Sequence, residues 1–542
     1  MTGRTNPRGR SSECPPPARR QPPDPRVLAV CICFLSVVLY GSKYDIIRTV
    51  ISVRKPYLKI VADEYAERET SMIGRVAEQK KLAKVMASKE SEFVAVYGRR
   101  RIGKTHLVRE FFKGKFLFQH TGIEKGGFQR QLAGFRDSLI DSGYRDCPMP
   151  GNWTEAFRLL KELVERSRQA RKVIFIDEMP WMDTPRSEFV SALEHFWNAW
   201  MSARKDVVLV ICGSATSWIV NKVIKSRGGL HNRVTETIPL APFTLAECEA
   251  YATSRGLRLP RAELAELFMV FGGVAYYWRK LEKGESVAQN VDRLLFAKGG
   301  ELRGEFDRVF ASLFKNDEAY RRIVFALSGK QSMTRDELLG KLGSKEGGRW
   351  TRRLEELEQC GFIRRYSGWG KKEREACYRL TDNFSLFHLR FIRGESNPDE
   401  HFWQHSSTLP AIAVWKGLSF ERLCLEHVSQ IKAALGISGV LTKVYAWRHV
   451  PDEEYTQGAQ IDLIIERADN LINACEMKFS AEAYVITKKY AAELATKIAT
   501  FRDVEKVRKG IHLTFITANG LARNAYANSV QSEVTLDDLF RA

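Results

Sequence analysis

The chain has 542 residues, 44% of them hydrophobic, and a formal net charge of +20. That length can bury several cores and excludes a single compact domain. The positive balance favours polyanions such as DNA, RNA or nucleotide phosphates without choosing among them. The ten cysteines are scattered, and the close pair Cys31 and Cys33 has one residue between its members instead of the two of a redox or zinc motif. This is the usage of reduced thiols and carries the expectation of a cytoplasmic protein.

Residues 1–26, MTGRTNPRGRSSECPPPARRQPPDPR, are rich in Pro and Arg and hold too little apolar surface to fold, so disorder is expected there. VLAVCICFLSVVLY, residues 27–40, is free of charge over fourteen residues. As a helix it would reach roughly 21 Å, short of the roughly 30 Å hydrocarbon core, and no Ala-x-Ala-like cleavage site follows. Three readings of 1–71 stay open: a signal peptide or short anchor, a buried segment, or an extension upstream of a start at Met72. Membrane partnership is not expected.

EFVAVYGRRRIGKTHLVREFF predicts an apolar strand (Phe93 to Tyr97), a tight loop and a helix beginning near Lys104. The loop Gly98-Arg99-Arg100-Arg101-Ile102-Gly103-Lys104-Thr105 matches G-x-x-x-x-G-K-[ST] between strand and helix. Glycines let the backbone wrap phosphates, and the helix N-terminus offers unpaired N–H groups to negative charge. Lys104 is expected to reach the β and γ phosphates of ATP, and the Thr105 hydroxyl to ligate Mg²⁺. Arg99, Arg100 and Arg101 admit two readings: solvated loop residues, or groups that meet phosphate or a neighbouring acidic surface.

RKVIFIDEMPWM predicts a buried strand, Val173 to Ile176, ending in Asp177 and Glu178. Asp177 would hold Mg²⁺ through water and Glu178 would polarise the attacking water, which makes hydrolysis the expected outcome of binding. SEFVSALEHFWNAWMS supplies the crossover helix that parallel strands require. DVVLVICGSATSWI adds a strand, Val207 to Cys212, with Ser214, Thr216 and Ser217 beyond its end as γ-phosphate sensors or as a structural turn. Arg233, after the sheet, is either an arginine finger in cis or in trans or a surface ion-pair partner. His120, His195 and His231 lack metal-ligand spacing. The expected nucleotide site is thus Gly98, Arg99, Arg100, Arg101, Ile102, Gly103, Lys104, Thr105, Asp177 and Ser214, with Lys104, Glu178 and Arg233 as catalytic groups.

Taken in order, YGRRRIGKT, VIFIDEMPWM, CGSATSWI, GLHNRVTETIPLAPFT and MVFGGVAYYW resemble the AAA-related, STAND-like ATPases usually called archaeal ATPase-like. The likeness begins at Ile73-Gly74-Arg75 and runs essentially to the C-terminus. It implies a P-loop ATPase core over 72–245 and a helical lid over 246–316 that includes Phe271-Gly272-Gly273. Ala275 departs from the family, which commonly has Pro at that place.

After Asp317, AYRRIVFALS, MTRDELLGKL and GGRWTRRLEELEQC read as three helices, and IRRYSGWGKKEREACYRLTD as two strands around a basic turn. That is the plan of a winged helix, expected over 317–394. Arg349, Arg352 and Arg353 on the third helix and Lys371, Lys372 and Arg374 in the turn are candidates for DNA phosphates. An intramolecular or protein-facing role stands beside that one. Leu354, Leu357 and Phe362 read as core.

In the last stretch, 395–542, WKGLSFERLCLEHVSQI forms a helix carrying Glu421. GAQIDLIIERADNLINACEMKFS forms adjacent strands carrying Asp462 and Glu476-x-Lys478. Period-two geometry puts Glu476 and Lys478 on one face, and Cys475 and Met477 on the other, toward the core. The charged pair is either solvated or converges with Asp462 around Mg²⁺, with the lysine stabilising charge on a phosphodiester. The order Asp462, Glu476, Lys478 resembles the PD-(D/E)xK nuclease superfamily, without its Pro before the first Asp. That resemblance implies Asp462 and Glu476 as metal ligands and Lys478 as catalytic. It makes Glu421 an upstream-helix acid and Gln460 an accessory position, with Lys488 and Tyr490 lining the substrate side.

The expected fold is therefore α/β, with a P-loop ATPase core and helical lid, a winged-helix module and a C-terminal restriction-endonuclease-like domain. The expected function is ATP hydrolysis that regulates DNA binding, extending to Mg²⁺-dependent cleavage, with self-association through the ATPase domain. The competing reading is a STAND-like switch whose last two modules are non-catalytic interaction surfaces.

Overall fold

The computed structural model describes residues 72–541 except 226–227, 229, 231, 315, 330–331, 344–346, 373–374, 395–398, 452, 454 and 456–457. The expectations for 1–71, for His231 and for Arg374 lie outside the described residues. No described helix is long and apolar enough to cross a membrane. The described cysteines are all free.

Five strands form the first sheet: β1 (Glu92–Tyr97), β2 (Phe116–Thr121), β3 (Lys172–Asp177), β4 (Val207–Gly213) and β5 (Glu236–Pro239), in the order β2-β3-β4-β1-β5. All pairings are parallel. Every residue of β3 and β4 is buried, as the unbroken apolar runs demand of strands covered on both faces. Alternate residues divide between two cores. Phe93, Ala95, Ile174, Ile176, Leu209 and Ile211 face α3 (Phe128–Asp141), α4 (Trp153–Arg166) and α5 (Phe189–Ala199). Val94, Val96, Val173, Phe175, Val208 and Val210 face α1 (Val76–Ala87) and α2 (Lys104–Phe111).

His120, on β2, is 4% exposed beside Phe118 and Phe135, with Nδ1 2.9 Å from Ser138 Oγ. Burial holds its pKa down to about 4. The unfolded chain takes up this proton near pH 6.5, so between those values the unfolded state binds more protons and stability falls as pH falls. At pH 5 the loss relative to pH 7 is about 2 kcal/mol from this group. His120→Phe should therefore narrow the difference between urea midpoints at pH 7 and pH 5; an unchanged difference would mean that His120 is protonated in the folded chain.

After β5 come α6 (Leu245–Ser254), capped by reciprocal Thr244 and Glu247 bonds, and α7 (Arg261–Phe271). Gly273 lies so close to Phe243 that a Cβ there would stand 1.9 Å from the Phe243 carbonyl oxygen, so only glycine fits. α8 (Glu305–Leu313) leads to a module with α9 (Asp317–Ser328), β6 (Met333–Thr334), α10 (Arg335–Leu342), α11 (Gly347–Gln359), β7 (Ile363–Tyr366) and β8 (Cys377–Leu380). Its antiparallel sheet has the order β6-β8-β7. Leu354, Leu357 and Phe362 are buried. α12 (Asn383–Phe391) and α13 (Pro410–Glu426) follow.

The last sheet runs β13-β12-β11-β10-β9, built from β9 (Thr442–His449), β10 (Ala459–Arg467), β11 (Leu471–Lys478), β12 (Gly510–Thr517) and β13 (Ser532–Thr535). β9, β10 and β11 pair antiparallel, while β11, β12 and β13 pair parallel. α14 (Lys488–Val504) lies between β11 and β12 in the chain, where a parallel connection needs a crossover.

One hydrophobic core runs through all segments after the first sheet. It joins Phe268 and Phe271 of α7, Trp350 and Leu354 of α11, Phe420 and Leu423 of α13, and Leu463, Cys475 and Met477 of the last sheet. Polar contacts cross the same boundaries: the Leu245 N–H at the start of α6 donates to His427 Nε2 at 3.1 Å. The basic turn between β7 and β8 is tied to the last sheet, because Gly368 bridges to Ala446 of β9 and the Trp369 N–H donates to the Ala446 carbonyl at 2.9 Å.

Candidate functional site

In open parallel sheets the ligand crevice lies beyond the carboxyl ends of the strands, where neighbouring connections diverge. Here that edge carries the 98–103 loop after β1, Asp177 at the end of β3 with Glu178 following it, and Ser214 after β4. Gly103 and Arg101 have left-handed backbones, with φ of 94° and 70°. A Cβ at Gly103 would meet nothing within 4 Å, so the loop is open on that side. Such a curl followed by a helix start gathers N–H groups toward one point and suits phosphate oxygens.

The polar side chains on this edge are mutually bonded. Lys104 Nζ donates to the Arg99 carbonyl at 2.8 Å and to Ser214 Oγ at 3.3 Å. Thr105 Oγ1 donates to Asp177 Oδ2 at 2.8 Å. The Ser214 N–H and hydroxyl donate to the two carboxylate oxygens of Glu178 at 3.1 and 2.7 Å. Glu178 has a left-handed backbone, φ 45°, strained for a residue with a Cβ, and its N–H donates to Asp177 Oδ1 at 2.9 Å. Lys104, Thr105, Asp177, Glu178 and Ser214 thus form one connected group. Its hydroxyl and carboxylate oxygens are the donor type that Mg²⁺ takes, so the residues fit ATP with its metal.

The remaining loop positions divide. The Ile102 side chain is buried in the core between the sheet and α2, which leaves its backbone to face the loop. Arg99 is 6% exposed, ion-pairs with Asp382 at the start of α12 and stacks 5.0 Å from the Phe362 ring centre. Burial works against its charge, but Asp382 and Tyr277 more than compensate and hold its pKa above the ordinary value. Arg101 ion-pairs with the fully buried Glu305 of α8 and lies 4.0 Å from the Tyr276 ring centre. Arg100 is half-buried. The Arg99 and Arg101 side chains therefore meet a neighbouring acidic surface, and their backbones alone line the loop. Asp382 and Glu305 drew no attention in the sequence, where the run of arginines was the sole hint of acidic partners. Arg233 is exposed and forms no hydrogen bond or ion pair with the Lys104–Glu178 group; its N–H donates to the Leu230 carbonyl at 3.1 Å.

On α11, Arg352 is exposed and pairs with Glu356 at 3.0 Å, and Arg353 lies 4.8 Å from the Trp350 ring centre. Arg349, Lys371 and Lys372 are exposed.

In the last sheet, the β9–β10 register shifts between Ile461 and Ile464, a bulge that re-aims Asp462. Gln460 Nε2 donates to Asp462 Oδ1 at 2.6 Å. Glu476 and Lys478 share a face of β11, 2.9 Å apart, while Cys475 and Met477 are buried behind them. Glu476 also accepts from Tyr490 at 2.6 Å and from Lys497 at 2.8 Å. Burial pushes the Glu476 carboxyl up, yet Lys497 and Lys478 outweigh it and leave its pKa lowered. Burial, and then Asp462, raise Glu421 to about 7. Lys488 is exposed. Lys497 went unnoticed in the sequence, although it stands two helical turns beyond Tyr490 and so on the same face of α14.

Three donors already occupy both oxygens of Glu476, and among the described residues no group of three or more His, Cys, Asp or Glu gathers to hold a metal ion. The donor set here is a salt-bridged network and does not fit a formed Mg²⁺ cage.

Fold and phosphate-loop site together define a P-loop ATPase. Residues 87–217 match the family model described as AAA domain. A protein of Methanocaldococcus jannaschii named Uncharacterized protein MJECL04 is 24% identical over 401 residues, covering 72% of this chain and 83% of its own length. Among solved structures, the Walker-type ATPase PABY2304 of Pyrococcus abyssi aligns at 17% identity with a TM-score of 0.44, over 59% of this chain and 96% of its own. The ORC2 protein of Aeropyrum pernix, in its ADPNP–ADP complexes, aligns at 15% identity with a TM-score of 0.37, over 59% and 93%.

Proposed function

We propose that this ATPase is a nucleotide-driven switch whose state controls DNA binding by its C-terminal half. The observation that carries this reading is the wiring of the phosphate loop: Arg99 is paired with Asp382 beyond β8, and Arg101 with Glu305 of α8. A shift of the loop backbone on gain or loss of phosphate would be felt directly by both following modules. Lys104 would contact the β and γ phosphates, Thr105 and Asp177 would hold Mg²⁺, Glu178 would orient the attacking water and Ser214 would register the γ phosphate. Bound ATP and its metal would supply the transferable phosphoryl group and the charge compensation for its passage to water. Arg233, being exposed, would serve the site of a neighbouring copy.

The DNA-binding part of the reading is supported by the order helix, strand, helix, helix, strand, strand over 317–380, the order of a winged helix. Exposed Arg349, Arg352, Lys371 and Lys372 and the net charge of +20 support it further. A second reading adds cleavage of the strand and is favoured by the cavity that Glu421 and Asp462 line together and by the Glu476–Lys478 pair on one face of β11. A third keeps both modules as non-catalytic interaction surfaces.

One experiment separates them: ATP turnover, DNA affinity and plasmid nicking in Mg²⁺ for wild type, Lys104→Ala and Glu476→Ala. Nicking lost in both variants supports cleavage coupled to ATP. Loss in Glu476→Ala alone supports an ATP-independent nuclease. DNA binding that changes with nucleotide, without nicking, supports the switch alone. DNA affinity identical with and without ATP would defeat the proposal.

A further inference from the structure

Two clefts of about 850 Å³ each run between the β7–β8 hairpin and the last sheet, and both include Arg379 and Asp462 in their walls. A small cavity at their meeting point is lined by Arg379, Leu418, Glu421, Arg422 and Asp462. Arg379 comes from β8 of the middle module and Arg422 from α13 of the C-terminal one.

These two arginines differ from those of the phosphate loop. Arg99 and Arg101 meet buried carboxylates, whereas neither Arg379 nor Arg422 ion-pairs with any described residue. Arg379 Nε is buried without a hydrogen-bond partner, and its guanidinium lies 5.0 Å from the Tyr366 ring centre. Arg422 makes one long hydrogen bond, 3.4 Å from Nη1 to Ser419 Oγ. Burial, and then the charge of Arg379, lower the Arg422 pKa to about 10, which supports their proximity. Two half-buried cations of like sign with unfilled donors are costly to hold together unless an anion joins them. Planar guanidinium forks suit the oxygens of a phosphate. Arg364, Arg365 and Lys443 extend the positive lining along the first cleft, while the second is mixed, with Lys371 and Arg448 beside Glu337, Glu375 and Glu505.

We propose that Arg379 and Arg422 form a composite phosphate site that seats one backbone phosphate of a DNA strand lying along the joined clefts, beside Glu421 and Asp462. The proposal rests on the DNA-binding reading above and gives it a location. Because each module contributes one arginine, the site exists only while the hairpin is docked on the last sheet. Movement of the middle module with the nucleotide cycle would thereby make or break it.

The test is fluorescence anisotropy with a labelled DNA oligonucleotide in EDTA, using the full chain as wild type, Arg379→Gln, Arg422→Gln and Arg379→Lys. Each glutamine variant should bind about tenfold more weakly or worse, and lower the slope of log affinity against log salt by about one. Arg379→Lys should retain the salt slope but only part of the affinity. ATP turnover and thermal midpoint should stay near wild type, which separates a lost phosphate contact from a lost fold. If wild type binds DNA and the glutamine variants bind equally well, the composite site is wrong while the DNA-binding reading survives. If wild type does not bind DNA, both fall. If calorimetry shows the variants losing inorganic phosphate but not DNA, the pair serves a small phosphate and the proposal is overturned.

Discussion

Glu178→Gln is expected to bind ATP with near wild-type affinity and to turn it over about 10²–10⁴-fold more slowly, the usual contribution of a positioned general base. The amide keeps the size of the side chain and can still accept from Ser214, so the group around Lys104 should persist. What it would lose is the negative charge that, in the proposed mechanism, draws the proton of the attacking water. Three features hold that charge in place: the left-handed backbone of Glu178, the bond from its N–H to Asp177, and the two bonds from Ser214. Lys104→Ala should differ in kind, weakening ATP binding together with turnover, because the ammonium would contact phosphate in ground and transition states alike. Titration with a fluorescent ATP analogue alongside steady-state phosphate release distinguishes the two. Turnover of Glu178→Gln within about threefold of wild type would remove Glu178 from the chemistry, given the usual 10²–10⁴-fold scale.

Asp382→Ala is expected to destabilise the protein by about 3–5 kcal/mol, the scale on which removing one member of a buried ion pair leaves an uncompensated charge. The side chains of Arg99 and Asp382 are 7% and 2% exposed, so water cannot take over the role of the carboxylate. Asp382 also caps α12, accepting from the Ser385 N–H at 3.0 Å, and loss of such a cap adds about 1 kcal/mol. The double variant Arg99→Met, Asp382→Leu should recover most of the loss, since two apolar side chains need no partner. It should not recover nucleotide-dependent DNA binding, if the loop signals through this pair. Urea unfolding of the single and double variants reads the stability. A loss below about 1 kcal/mol for Asp382→Ala would place the pair among solvated ones.

The parts legible in the sequence were those set by short-range rules. Unbroken apolar runs gave β1, β3 and β4, and the glycine-lysine spacing gave the loop between β1 and α2. Alternation gave the burial of Cys475 and Met477 behind Glu476 and Lys478. Contacts between distant segments were not legible: Arg99 meets a residue 283 positions away, and Arg101 one 204 positions away. Nothing local marks Asp382 or Glu305, because an acid in a helix start looks the same whether it faces water or a buried guanidinium. The bulge at Asp462 escaped for a similar reason, since it depends on the register with β9. The basic turn left DNA contact and an intramolecular role both open in the sequence, and the junction of its Gly368 and Trp369 backbone with Ala446 depends on a segment about 80 positions away.

The unbroken apolar interior from α7 to the last sheet has an evolutionary consequence. Recombination could not trade one of its modules for another without also importing the facing side chains: Tyr277 packs on Phe384, Phe310 on Phe362, and Phe387 on Trp415. Descendants of this architecture should therefore inherit the segment as a block and diversify at its polar clefts, where a substitution disturbs no neighbour's packing.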